Sequence, residues 1–170
     1  MQATQLPFVR IPGMPSDKPS TSVKLPGAEG LRVDILAPGR VLGEIIAIPE
    51  LEWHAHTIPF YNYLLEDSRA AAMLAGGHCV PINLPQVTRM IWHKLYASTH
   101  RTKEPTKAEK DLVQAVTLAA ILIEQESVSL RESFRSAPRE LRAAALSRLP
   151  RIETMLTQHP QALDGFRELK

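Results

Sequence analysis

Six of the fourteen prolines fall between Pro7 and Pro38. Proline removes a backbone donor and clashes with the preceding helical turn, so the opening third of the chain cannot hold a long helix. It should begin as extended chain and loops. Thr21–Leu25 and Leu31–Leu36 read as two short strands joined by Pro26–Gly30, a hairpin with glycine at both ends of its turn. In the second strand Leu31, Val33 and Ile35 share one face, expected to be packed. Arg32 and Asp34 share the other with Leu36, which points a lone carboxylate away from the packed side. A solvent-exposed strand acid accounts for Asp34 without any further role. Gly43–Ile48 and Ala55–Ile58 are further candidate strands. Pro59–Asp67 should form a short helix with Phe60, Tyr63 and Leu64 inward, and Gly76-Gly77 between Ala70–Ala75 and Cys79–Asn83 marks a second hairpin.

Beyond residue 84 the periodicity changes from two to 3.6. On a helical period Val87, Met90, Ile91, Leu95 and Ser98 form a stripe in which Lys94 and Arg101 also fall. After Lys103-Glu104-Pro105, Thr106 can cap a second helix with Glu109 completing the capping box. That helix carries the stripe Ala108, Leu112, Ala115, Ala119, Leu122 and Ile123. Asp111 lies at the margin of this stripe, flanked by Lys107 and Lys110. A short connection makes the two helices antiparallel neighbours, so the inward cations can approach the inward acid. Charges taken from water must be paired or meet a charged ligand. Two readings stand: a structural ion pair with snorkelling cations, or a polar cleft for phosphate. Arg89 to Lys110 holds six Lys or Arg against two Glu. Ser127–Arg135, Pro138–Leu149 and Pro150–Leu169 should be three more helices, bounded at Ser136 and Pro150. Strands first and helices later predict an α+β fold, with short antiparallel strands and hairpins in a strand-rich region 1–84 and a helical region 85–170.

A chain of 170 residues, 44% hydrophobic, can build a real core. A net charge of +2 suits phosphate-bearing partners without the basic excess of a dedicated nucleic-acid binder. A single cysteine, Cys79, excludes an internal disulfide and fits a reducing cytoplasm, and no apolar run is long enough to span a bilayer. His54, His56, His78 and Cys79 have no spacing that assembles the roughly four ligands of a zinc site. They read as surface or hydrogen-bonded side chains.

The ordered set Pro19-Ser-Thr-Ser22, Leu31-Arg-Val-Asp-Ile-Leu36, Pro59-Phe-x-x-Tyr-Leu-Leu65, His93-Lys94-Leu95 and Lys110-Asp111-Leu-x-Gln-Ala115 resembles the C-terminal half of bacterial proteins of the nucleotidyltransferase fold. This group is distantly similar to the abortive-infection toxin nucleotidyltransferases, and the resemblance runs from about Phe8 to about Ala120. It implies a partial nucleotidyltransferase fold and transfer of a nucleoside monophosphate from a nucleoside triphosphate to an unknown acceptor. Members carry an acid-x-acid pair on one strand and a third acid on a neighbouring strand, which together hold two Mg2+ ions. Only the third acid has a counterpart, Asp34 within Val33-Asp34-Ile35. By the same resemblance Lys94, Lys110 and Asp111 belong to the catalytic set. Arg32, Arg101 and Lys107 then bind substrate, and Asp34 is the metal ligand. One carboxylate cannot hold two metal ions. The resemblance therefore implies a truncated, catalytically incomplete nucleotidyltransferase, inactive alone and completed by a missing N-terminal half or a partner protein. The alternative is a non-catalytic module that binds nucleotide, RNA or a partner.

Overall fold

The computed structural model describes residues 6–13, 15–28, 30–75, 78–126 and 128–169. The chain divides into two compact units, Met1–Tyr61 and Asn62–Lys170. Mixed small sheets and six helices among the described residues make the protein α+β. The second hairpin falls in the unit that carries the long helices.

In the first unit, β1 (Val9–Ile11), β2 (Ser22–Lys24) and β3 (Arg32–Asp34) form an antiparallel sheet in that order. The expected hairpin is β2–β3, with Gly27 supplying a left-handed φ of 99° in its turn. The second strand, however, stops at Asp34 rather than Leu36. Ile35 is the transfer point: its N–H donates to Thr21 O at 2.9 Å in the first sheet, and its carbonyl accepts from His56 N at 3.0 Å in the second. Leu31 and Val33 are exposed rather than packed, because β3 is an edge strand and the buried positions, Thr21, Ser22 and Val23, lie on the facing segment.

The second sheet is ordered β4 (Leu36–Pro38), β6 (Trp53–Ile58), β5 (Ile45–Ile48). β5 pairs antiparallel with β6, but β4 pairs parallel with it, correcting the all-antiparallel expectation. Intervening β5 and a 3-10 turn at Pro49–Leu51 provide the crossover that parallel pairing needs. Gly39 is required where this sheet closes, since a Cβ there would lie 2.3 Å from Thr57 Cβ. Thr57 is itself buried, and its hydroxyl donates to Val41 O. His56 Nδ1 lies 3.2 Å from Gly43 O, an ordinary hydrogen-bonded histidine. The side chain of His78, and Gly76-Gly77 themselves, lie outside the described residues.

The second unit contains α1 (Tyr61–Leu65) from Asn62 onward, the hairpin β7 (Arg69–Ala75) and β8 (His78–Leu84), and the helices α2 (Val87–His100), α3 (Pro105–Glu126), α4 (Leu130–Ser136), α5 (Arg139–Met155) and α6 (Pro160–Arg167). Helix α1 is shorter than expected because Phe60 and Asp67, both at φ 56°, close it at each end. Helix α2 is the hub. Ile91, Trp92 and Leu95 are fully buried, with α3, α4 and α5 packed round it. Trp92, outside the expected stripe, sits edge-on to Phe134 and Phe166 at centroid distances of 5.3 and 6.4 Å, and its Nε1 donates to Ser133 Oγ at 3.2 Å. A helix enclosed on several sides buries more than one stripe.

Two boundaries differ from expectation. Helix α3 begins at Pro105, whose fixed φ suits a first helical position, so Thr106 lies inside the first turn rather than capping it. Glu109 instead reaches Arg151 at 3.1 Å. Helix α5 runs straight through Pro150, expected to end it. Pro150 and Leu146 are exposed, so water can serve the carbonyl that loses its donor, while Leu149, Ile152 and Leu156 anchor the inner face. No helix among the described residues is long and apolar enough to cross a membrane.

Candidate functional site

The antiparallel turn from α2 to α3 brings three of the expected residues together. Asp111 accepts from Lys94 Nζ at 3.0 Å on one carboxylate oxygen and from Arg101 Nε at 2.8 Å on the other. Lys94 projects from the middle of α2, and Arg101 is the residue that ends it, its N–H still bonded to Ala97 O. The side chains are 22%, 28% and 13% exposed for Lys94, Arg101 and Asp111. The cluster is therefore half out of water, where charge-assisted bonds are strong and salt screens them weakly.

Arg101 is shared. Its Nη1 also meets Glu104 Oε2 at 3.0 Å, and the other oxygen of Glu104 is held by Lys107. The Lys107 hydrogen bond holds the Glu104 carboxyl below its usual range; partial burial opposes this, and the Lys107 charge and Arg101 reinforce it. Lys107 thus serves as the outer link of a chain running Lys94, Asp111, Arg101, Glu104, Lys107. Lys110 is exposed on α3 and stands outside this chain.

Beside the cluster lies a cleft of about 250 Å3 bordered by Ser98, Arg101, Pro105, Ala108 and Arg148. Arg148 comes from α5, and sequence reasoning missed it. Its Nε donates to Ser98 Oγ at 3.2 Å and its Nη2 to Ser98 O, a contact fifty residues away along the chain. Nothing local to Arg148 announces it beyond a cation placed next to the buried Leu149. Arg89, at the other end of α2, is spent differently. It binds Glu66, Asp67 and Tyr63 O and stacks over the Tyr63 ring at 4.8 Å, which pins α1 to α2.

In the first unit, Arg32 and Asp34 occupy one face of β3. Arg32 Nε donates to Asp34 Oδ1 at 2.8 Å, and the hydroxyl of Ser22, directly across the ladder, donates to the same oxygen. Partial burial pushes the Asp34 carboxyl up, but the Ser22 and Arg32 hydrogen bonds and the Arg32 charge outweigh it, and the net direction is down. Asp34 is therefore an ionised carboxylate already engaged by two partners. Among the described residues no group of three or more His, Cys, Asp or Glu side chains is placed to hold a metal ion. The donor set around Asp34, an arginine and a serine, does not fit a two-metal centre.

The protein therefore joins a folded polar cluster on helices with a single engaged strand carboxylate. A sequence profile of the nucleotidyltransferase family matches residues 2–139, which spans both of these features. No curated protein and no solved structure matches the chain. With a match that covers well over half of its length, the chain belongs to the nucleotidyltransferase family.

Proposed function

We propose that this protein takes part in transfer of a nucleoside monophosphate from a nucleoside triphosphate, with the α2–α3 corner on the phosphate side. In such a transfer an acceptor oxygen attacks the α-phosphorus, the bond to the β-phosphate breaks, and pyrophosphate leaves with the negative charge. Lys94, Arg101, Lys107 and Lys110 would supply positive charge to the triphosphate, and Asp111 would orient Lys94 and Arg101. In the first unit, the resemblance gives Arg32 a substrate-binding role and Asp34 the role of a metal carboxylate. The observation that carries this reading is Asp111 clamped between two half-buried cations beside a cleft.

Nucleotidyltransferases as a class use divalent metal, Mg2+ in the reading proposed here. The described residues do not complete such a site, so the reaction would need carboxylates beyond them. Within the family, the ordered motifs favour a branch similar to the bacterial abortive-infection toxins. Incubation with labelled nucleoside triphosphates and Mg2+ tests this: the chain alone should transfer nothing, and addition of a protein carrying the acid-x-acid strand should restore transfer. Turnover by the chain alone would refute the assignment of incompleteness.

A second reading, a non-catalytic module that holds nucleotide, RNA or a partner, is favoured by the same donor set. Calorimetry with a nucleoside triphosphate tests it. Affinity should fall steeply with salt and vanish in Lys94→Ala/Arg101→Ala. Unchanged binding in that double variant would remove the corner from the site.

A further inference from the structure

The β7–β8 hairpin stands as a two-stranded sheet with no third strand among the described residues. Isolated two-stranded ribbons are marginal in water, and this one is apolar and exposed. Met73, Leu74, Val80 and Leu84 are all exposed, Leu74 at 77%. Register shows which edge is open. Ala75 pairs with His78 across the turn, so the pairs 75–78, 73–80, 71–82 and 69–84 exchange the ladder hydrogen bonds. The alternate pairs, 74–79, 72–81 and 70–83, point their backbone groups outward.

Pro81 occupies one of those outward positions on β8. Its missing N–H costs the hairpin nothing, and its ring blocks strand addition along that edge. The outer edge of β7 has no such guard. Ala70, Ala72 and Leu74 present free donors and acceptors there, with small side chains beside them and no charge until Arg69.

We infer that β7 pairs antiparallel with β7 of a second copy of this chain, giving a four-stranded sheet ordered β8-β7-β7-β8 about a two-fold axis at Ala72. In this register Ala72 exchanges both bonds with the second copy's Ala72, and Ala70 does so with Leu74. Each bulky Leu74 meets a small Ala70. Arg69 falls opposite Ala75, so no like charges oppose. One open edge, closed by its own twin, explains why one strand carries a proline guard and the other none.

Sedimentation of the whole chain over about a hundredfold concentration range tests this. The wild type should pass from monomer to dimer. Ala72→Pro removes only an outward N–H and should leave a monomer with an unchanged melting temperature. Leu74→Lys, which replaces a side chain 77% exposed and sets a cation on the edge against the second copy's Ala70, should act in the same direction. A wild type that stays monomeric throughout, or a dimer that persists in both variants, overturns the inference.

Discussion

Removing Asp111 separates a structural role for the α2–α3 corner from a purely ligand-facing one. Asp111 accepts two charge-assisted bonds, and each such bond contributes roughly 1.5–3 kcal/mol when fully buried. Full burial does not apply. Lys94 can extend toward water, and Arg101 keeps Glu104, so Asp111→Ala should cost about 2–3 kcal/mol. Lys94→Met retains the apolar stem and the Arg101 bond and should cost about 1 kcal/mol. The double variant should then be less destabilised than the sum by about 1 kcal/mol, the coupling of the pair. The chain has two tryptophans, and Trp92 is fully buried in the helical unit. In a Trp53→Phe background, urea unfolding followed by fluorescence therefore reports on the surroundings of α2 alone. A cost below about 0.5 kcal/mol for Asp111→Ala, or additivity within about 0.3 kcal/mol, would refute a structural contribution from the cluster.

Two further outcomes follow from the same unit. Glu104 has a folded pKa below its usual 4.5, so its stabilisation is present above that value and is lost as pH falls through the lower folded value. The stability gap between wild type and Glu104→Gln should be full above about pH 4.5 and close below it, measured by acid titration of Trp92 fluorescence; a gap that widens on acidification would reverse the sign. Pro150→Ala should stabilise the helical unit by about 1–2 kcal/mol, since restoring the helical bond outweighs the added freedom of the unfolded chain. A loss in chemical denaturation would show that Pro150 has a packing role its exposure hides.

Features set by neighbouring residues were legible in the sequence, whereas features set by distant contacts were not. Gly-bearing turns marked both hairpins. Period 3.6 marked α2 and α3, and a short linker implied that Lys94 and Arg101 would face Asp111. The chain leaves the first sheet at Ile35 because its two backbone groups bond to Thr21 and His56, partners no local pattern names. Trp92 lies off the apolar stripe because α2 is enclosed from several sides, and enclosure depends on elements up to seventy-four residues away. Pro150 was read as a helix stop by its own chemistry, but Leu149, Ile152 and Leu156 hold the helix across it. Arg148 entered the corner only through tertiary packing of α5 on α2. Asp34 was legible as a residue on a strand face, and its engagement by Ser22 and Arg32 needed the ladder register.

In the proposed function Asp111 both orients Lys94 and Arg101 and would compete with a phosphate for them. A triphosphate that draws on both cations must first displace a carboxylate that satisfies them, and the work of displacement lowers the apparent affinity. Asp111→Asn keeps the shape of the side chain and removes the charge. Under the proposed function the one substitution should act in opposite directions on two measurements. Unfolding should become easier, as for Asp111→Ala, while a nucleoside triphosphate should bind more tightly, about tenfold for every 1.4 kcal/mol of displacement work removed. Opposed signs would mark a residue that gives stability at the expense of binding. Calorimetry on both proteins in one buffer reads the affinity, and identical or weaker binding by Asp111→Asn would mean that the two cations meet only their own acid.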